Sequence, residues 1–432
     1  MEKKLFFISI LWIHCLHING SENQDKQYKT KELLNTNQNK EIKQIVLYKK
    51  ESTNLLFFLY NDDYKIHALD LKNDNELPAY KSCNITSASI KITWELGQKK
   101  EIYHLAEPYD YKAKTVLPIA NKKNVFLAEI LNNKKFRFIR FNAFRHIITH
   151  NTDIYKLYSS GESIISTSIY PSIKVWQRSK EIEKNKKLSY VGGLCLGSNS
   201  NQDFFYMIKD NYGITIFNKW DRWRNRNSKT INGLLYGFTI DFDNEGNELK
   251  LNEIESQNKL SFNLSLNGQQ NILFATYNKN KKNSKNITID GMLLANNNFY
   301  LCGFGQQNNT LYFKQITLPE ESQVKVNIKQ MFLFTNPGND KNNNFYLLTM
   351  SDTDITIYLL VNSQQKTLLE NNINENTEMQ LKIVSQINVQ AINMQKYQKI
   401  TLAPDTKSVY IATTNEKNET ILSKIENIVD LL

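Results

Sequence analysis

The segment Phe217-Asn218-Lys219-Trp220-Asp221-Arg222-Trp223-Arg224-Asn225-Arg226-Asn227 holds the densest set of groups able to recognise a partner. It has no alternating apolar period, so it reads as a loop. Trp brings wide contact area, and Arg brings a planar donor fork that fits carboxylate or phosphate; both dominate binding hot spots. Trp220, Arg222, Trp223, Arg224 and Arg226 are therefore the candidate partner-binding residues. The plainer alternative is a loop whose Trp side chains fill the core while its Arg side chains are solvated.

Other constellations carry less chemistry. Asp241-Phe242-Asp243-Asn244-Glu245-Gly246 opens like a calcium loop, but Glu245 stands where Asp or Asn is needed and Asn252 where a bidentate Glu is needed. With apolar runs on both sides, it reads more simply as a hairpin turn with Gly246 at positive φ. His146 and His150 lie four apart, yet Ile147 occupies the place of the glutamate that a zinc protease helix requires. No Gly-x-Ser-x-Gly nucleophile elbow or Gly-x-x-x-x-Gly-Lys phosphate loop occurs, and Ser159-Ser160-Gly161-Glu162-Ser163 reads as a turn. The expectation is a protein without catalysis, metal or cofactor. The alternative is a secreted propeller hydrolase or lectin acting on carbohydrate, with carboxylates gathered at a central channel.

These residues need a scaffold, and the sequence describes it as strand after strand. An aromatic-rich run, a polar turn and an alternating run recur at 54–69, 124–141, 203–217, 298–313, 344–359 and 408–425, with a further aromatic run at 271–277. A strand whose both faces are apolar must be covered on both sides, and stacked blades around an axis provide that cover. The expected fold is all-β: a propeller of about seven, alternatively six, four-stranded blades over residues 43–432. The runner-up is two antiparallel sandwiches. The Phe/Tyr-rich strand should be an inner one, packed on both faces. Ser172-Ile173-Lys174-Val175-Trp176 resembles the end of a WD-repeat blade. Helical candidates are confined to Gln27–Leu34 and Ser423–Leu431.

The compartment is read from the ends of the chain. Lys3 and Lys4 precede an apolar run from Leu5 to Leu16, and Gly20-Ser21 supplies small residues for cleavage. Residues 1–20 thus read as a secretory signal, too short to span a bilayer, and 21–42 as a disordered polar leader. No later run is long and apolar enough to cross a membrane. The tail Asp430-Leu431-Leu432 is not an endoplasmic-reticulum retention signal. Cys83, Cys195 and Cys302 are too few and uneven for a disulfide framework, so three buried thiols are expected. The net charge is +11 and the pI near 9.1, which draws the protein to acidic surfaces. Secretion argues against nucleic acid as the partner.

A signal peptide, an Asn/Lys/Ile-rich chain and the absence of a retention tail together resemble the parasitophorous vacuolar protein family of malaria-type parasites. Residues 21–50 contain no Arg, and Lys31-Glu32-Leu33-Leu34 does not match the host-export motif of such parasites. The resemblance implies a protein retained in the vacuole lumen, accessory to protein export, with translocon components or cargo as partners. It implies no particular site residue.

Overall fold

The computed structural model describes thirty strands and residues adjoining them between 29 and 428. Residues 1–28, 429–432 and several connections, among them 84–102, 140–152, 179–189 and 219–229, lie outside the described residues.

Strand β1 (Lys29–Asn35) stands apart from the strands that follow it in sequence. Blade 1 is β2 (Ile42–Lys50), β3 (Thr53–Tyr60), β4 (Ile66–Asp70) and β5 (Lys81–Cys83). Blade 2 is β6 (His104–Leu105), β7 (Tyr109–Tyr111), β8 (Lys114–Ala120), β9 (Val125–Ile130) and β10 (Phe136–Ile139). Blade 3 is β11 (Ile154–Ser159), β12 (Ser163–Ser168), β13 (Ile173–Arg178) and β14 (Tyr190–Gly192). Blade 4 is β15 (Ser200–Lys209), β16 (Tyr212–Asn218), β17 (Thr230–Phe242), β18 (Leu249–Ile254) and β19 (Ser261–Ser265). Blade 5 is β20 (Leu273–Thr276), β21 (Thr288–Ala295), β22 (Asn298–Gly305) and β23 (Thr310–Ile316). Blade 6 is β24 (Gln330–Thr335), β25 (Phe345–Met350), β26 (Asp354–Asn362) and β27 (Met379–Asn388). Blade 7 is β28 (Lys396–Leu402), β29 (Ser408–Thr414) and β30 (Thr420–Glu426).

The fourth strand of blade 7 is β1, which pairs antiparallel with β30 from Lys29↔Glu426 to Asn35↔Ile421. The first described strand therefore closes the last sheet. Closure removes the open edge at which a string of sheets would otherwise end. The chain is a seven-bladed β-propeller. The first strand of each blade is its innermost, and the inner strands of blades 4 and 5, 5 and 6, 7 and 1, 1 and 2, and 2 and 3 touch in turn.

Packing follows from the two-residue period of a strand. Along β25, Phe345 and Leu347 enter the core shared with blade 5, whereas Tyr346, Leu348 and Met350 enter the core shared with blade 7. Along β3, Leu56, Phe58 and Tyr60 face blade 7, and Leu55, Phe57 and Leu59 face blade 2. Successive side chains point to opposite faces, so a middle strand that serves two interfaces must be apolar throughout. That is the reason for the aromatic runs. The strand concerned is the second of its blade in β3, β25 and β29 and the third in β9 and β22, whereas the runs at 203–208 and 271–277 fall on β15 and β20, the innermost strands of blades 4 and 5.

Three expectations need correction. The polar stretch 21–42 contains β1, whose Leu33 is buried beside Tyr410 and Leu422. Lys29, Lys31 and Glu32 dilute its apolar content, so the strand carries no apolar alternation in sequence. The helices expected at Gln27–Leu34 and Ser423–Leu431 are replaced by the mutually paired β1 and β30, an instance of tertiary pairing overriding local preference. The aromatic runs at 271–277 and 298–313 belong to one blade, the fifth, while blade 3 escaped notice except for its third strand around Val175 and Trp176.

Candidate functional site

Trp220, Arg222, Trp223, Arg224 and Arg226 fall between β16 and β17, outside the described residues, as do His146 and His150. The β17–β18 hairpin is present, with Phe242 opposite Leu249, although its turn at 243–248 lies outside the described residues. Likewise β11 and β12 flank the turn at 160–162, with Ser159 opposite Ile164. Cys302 is buried and unbridged; burial and the nearby Asp290 charge push its thiol well up, which disfavours the nucleophilic thiolate. Cys195 lies outside the described residues. Among the described residues no three His, Cys, Asp or Glu side chains gather as a metal site would require, and no helix is long and apolar enough to cross a membrane.

The structure brings a different set together, at the end of the ring where the inner strands begin. An innermost strand exposes backbone N–H and C=O groups on its free edge, and these need partners. The preceding blade supplies them. Gln44 of β2 receives Leu105 N–H on its Oε1 at 3.0 Å and donates its Nε2 to Leu105 O, so one amide satisfies both groups of the next inner strand. His104 of β6 bonds Ile154 O through Nε2 at 2.9 Å. A carbonyl only accepts, so Nε2 carries the proton. Ile154 N–H in turn donates to Lys122 O. Gln330 of β24 accepts Ile400 N–H at 3.1 Å. Blades 1, 2 and 6 thus each hold the edge of the blade that follows.

Blade 2 has a broken inner strand. Ala106 N–H donates to Pro118 O at 3.0 Å, which aims the main-chain polar atoms of Pro118 at the inner strand. Proline has no N–H to complete the ladder. The inner strand bulges over 106–108 and resumes pairing at Tyr109↔Val116. The bulge carries Glu107. This side chain keeps solvent exposure, while the protein around it partly desolvates its carboxyl and raises it above the usual range.

Around this axis stand lysines from successive inner strands. Lys43 of β2 and Lys399 of β28 are half-buried, and each has its ammonium pushed down first by burial. The second cause for Lys43 is the charge of Lys399. For Lys399 it is Glu41, which opposes the fall, followed by Lys329, which adds to it. His104 is lowered to about 4 by burial and then by Lys43, so it is neutral at pH 7. The ring of Tyr103 lies under both Lys43, at 5.5 Å, and Lys122, at 5.7 Å. The quadrupole of an aromatic face attracts such cations. Each of these groups sits at the mouth of one rim.

Sequence reasoning missed this arrangement. The only local signal is a Lys-Gln-apolar start, Lys43-Gln44-Ile45 and Lys329-Gln330-Met331. Lys314-Gln315-Ile316 has the same form at the end of an outer strand, so the signal does not discriminate.

No family model matches the chain, and no curated protein matches it. Among solved structures it is similar to the N-terminal domain of Nup159, at 9% identity and TM-score 0.42, covering 92% of this chain and 95% of that one. The computationally designed Ika8 protein aligns at 11% identity and TM-score 0.44, covering 92% and 99% of the two chains. The WD40 β-propeller domain of Doa1 aligns at 8% identity and TM-score 0.43, covering 91% and 96%. The propeller assignment stands on the strand pairing itself.

Proposed function

We propose that this protein is a secreted, non-catalytic β-propeller scaffold that binds protein partners on its rims. The observation that carries this reading is the closed ring, with β1 locked to β30 and inner edges satisfied across blades. Such a ring commits its middle strands to packing and frees the rim loops for recognition. The segment from Trp220 to Arg226, which lies in sequence between the second and third strands of blade 4, is the proposed contact because its Trp and Arg side chains suit a binding hot spot. The net charge of +11 favours acidic partner surfaces. The resemblance to parasitophorous vacuolar proteins supports the lumen of such a vacuole as the compartment and an accessory role in protein export, with translocon components or cargo as partners.

Affinity capture of the tagged chain from its native compartment tests the reading. A stable partner should co-purify at physiological salt, and Trp220→Ala with Trp223→Ala should weaken capture while circular dichroism is unchanged. Repeated elution of the protein alone would reject the scaffold. Unchanged capture by the double variant would reject the Trp/Arg segment as its site. Fluorescent tagging with selective permeabilisation tests the compartment: signal in the cytosol would reject secretion.

A further inference from the structure

We infer that the mouth at which the inner strands begin binds a single peptide carboxylate, held between Lys43 and Lys399. This rests on the scaffold reading and names the chemistry of the partner's contact. Lys43 and Lys399 belong to the inner strands of blades 1 and 7, which meet where the ring closes. Both are half-buried, so each ammonium has lost part of its hydration, and Lys43 lies in the field of Lys399. Lys329 extends the set to blade 6, while Lys43 and Lys122 share the face of Tyr103. Partly desolvated like charges destabilise one another until a counter-charge arrives.

The arrangement of carboxylates selects the size of that counter-charge. Glu41 is exposed, accepts a bond from Asn61 Nδ2 at 2.8 Å and faces Lys399. Asp352 is exposed and lies 3.5 Å from Lys329. Asp153, Asp354 and Glu419 mark the starts of β11, β26 and β30 at the same end of the blades. These acids stand at turns of the rim, with Glu107 further along the inner strand of blade 2, whereas Lys43 and Lys399 stand on inner strands. A long polyanion laid across this end would meet the rim acids, whereas one aspartate, glutamate or terminal carboxylate reaches the lysines without doing so. A carboxylate can accept from two ammoniums at once. His104 remains neutral at pH 7 and does not compete for it.

The test uses the full chain and two short dye-labelled Gly/Ser peptides, blocked at both ends, one with a central Glu and its twin with Gln, read by fluorescence anisotropy. The Glu peptide should bind about tenfold tighter or better than its twin, free acetate should compete, and K43Q or K399Q should each erase the preference. K43R and K399R, which keep the charge if the Gln variants fold poorly, should retain it. Equal binding of the twins, or a preference that survives K43Q and K399Q, overturns the site. Competition by inorganic phosphate at far lower concentration than acetate would assign a phosphate instead. Lysine-dependent binding only to vesicles containing phosphatidylserine would assign a lipid surface; either result overturns the peptide carboxylate. A captured native partner that ignores K43Q and K399Q leaves the scaffold reading intact and removes this site. Discrimination between the twins with no captured partner does the reverse.

Discussion

The interface between blades 5 and 6 and the seam running from blade 1 through blade 2 to blade 3 solve one problem in two ways. Between blades 5 and 6, Phe299, Leu301, Phe345, Leu347, Tyr358 and Leu360 fill the gap with buried apolar side chains. Tyr277 meets Phe345 edge-on at 5.0 Å between ring centres. Between blades 1 and 2 a comparable core exists, but Pro118 breaks the inner strand, and polar groups take over at the edge. There Gln44 and His104 hold Leu105 and Ile154, and Tyr48 reaches Asp110 and Thr115. The contrast separates two kinds of polar residue near the axis: those that satisfy a backbone edge, and those, such as Lys43 and Glu107, that satisfy none.

The apolar side of this comparison breaks most sharply at Phe345. The side chain is fully buried, and its loss leaves a cavity between two blades. Phe345→Ala should lower stability by about 3–5 kcal/mol in urea unfolding. A cost below about 1 kcal/mol would mean that blades 5 and 6 repack freely. On the polar side, Gln44→Leu keeps the side-chain volume similar but deprives Leu105 of both an acceptor and a donor. Two backbone groups are left short of a partner, so the expected cost is about 2–4 kcal/mol. Unfolding midpoints that match the wild type would show that water replaces the amide without penalty, and the seam would then be no different from a hydrated surface.

His104 sharpens the comparison through pH. Its folded value of about 4 lies below the ordinary 6.5, so the unfolded chain binds the proton more readily. Stability from this group is fully present above 6.5 and is lost as pH falls towards 4, by about 3 kcal/mol in all. Glu107, with its carboxyl raised, acts in the opposite sense: it favours the folded state at low pH and loses that contribution as pH rises from its ordinary value through its raised one. The wild-type profile blends the two, so the difference between wild type and His104→Gln isolates the imidazole. A Gln amide can donate to Ile154 O, as Gln44 donates to Leu105 O. The variant should match the wild type near pH 7 and exceed it progressively below pH 6. Parallel stability curves for the two proteins between pH 7 and 4 would overturn the buried, neutral imidazole.

How legible each feature is in the sequence depends on the range of its cause. The propeller was legible because burial between two blades forces a middle strand to be apolar on both faces, and runs such as Leu55–Tyr60 and Phe345–Met350 record it directly. β1 was not legible, because among its described side chains only Leu33 is deeply buried and its partner lies almost the whole chain away. The mouth was illegible for the same reason. Lys43, Tyr103, His104 and Lys399 come from three blades, and only ring closure brings them together. Pro118 did carry a local signal, a proline inside a strand, but its consequence falls on Glu107 of the neighbouring strand.

The smallest effect expected is at Tyr48, and it asks whether polar contacts in the seam add stability beyond closing the backbone edge. The Tyr48 hydroxyl lies 3.1 Å from Asp110 Oδ1 and also bonds Thr115 Oγ1, while Thr115 Oγ1 donates to Asp110 Oδ1 at 3.0 Å. Blade 1 is thereby tied to the inner hairpin of blade 2 just beyond the Pro118 bulge. Tyr48→Phe keeps the buried ring and removes only the oxygen. Asp110 is exposed, and water can take the vacated place, so neither Asp110 nor Thr115 is stranded. The loss should be about 1 kcal/mol, below that of Gln44→Leu. Double-mutant cycles with Thr115→Val measure the coupling directly. A coupling near zero would confine the stabilising role of the seam's polar groups to the backbone-edge contacts of Gln44 and His104. A coupling above that of the Gln44 contact would invert the order and place the main tie between blades 1 and 2 on the far side of the bulge.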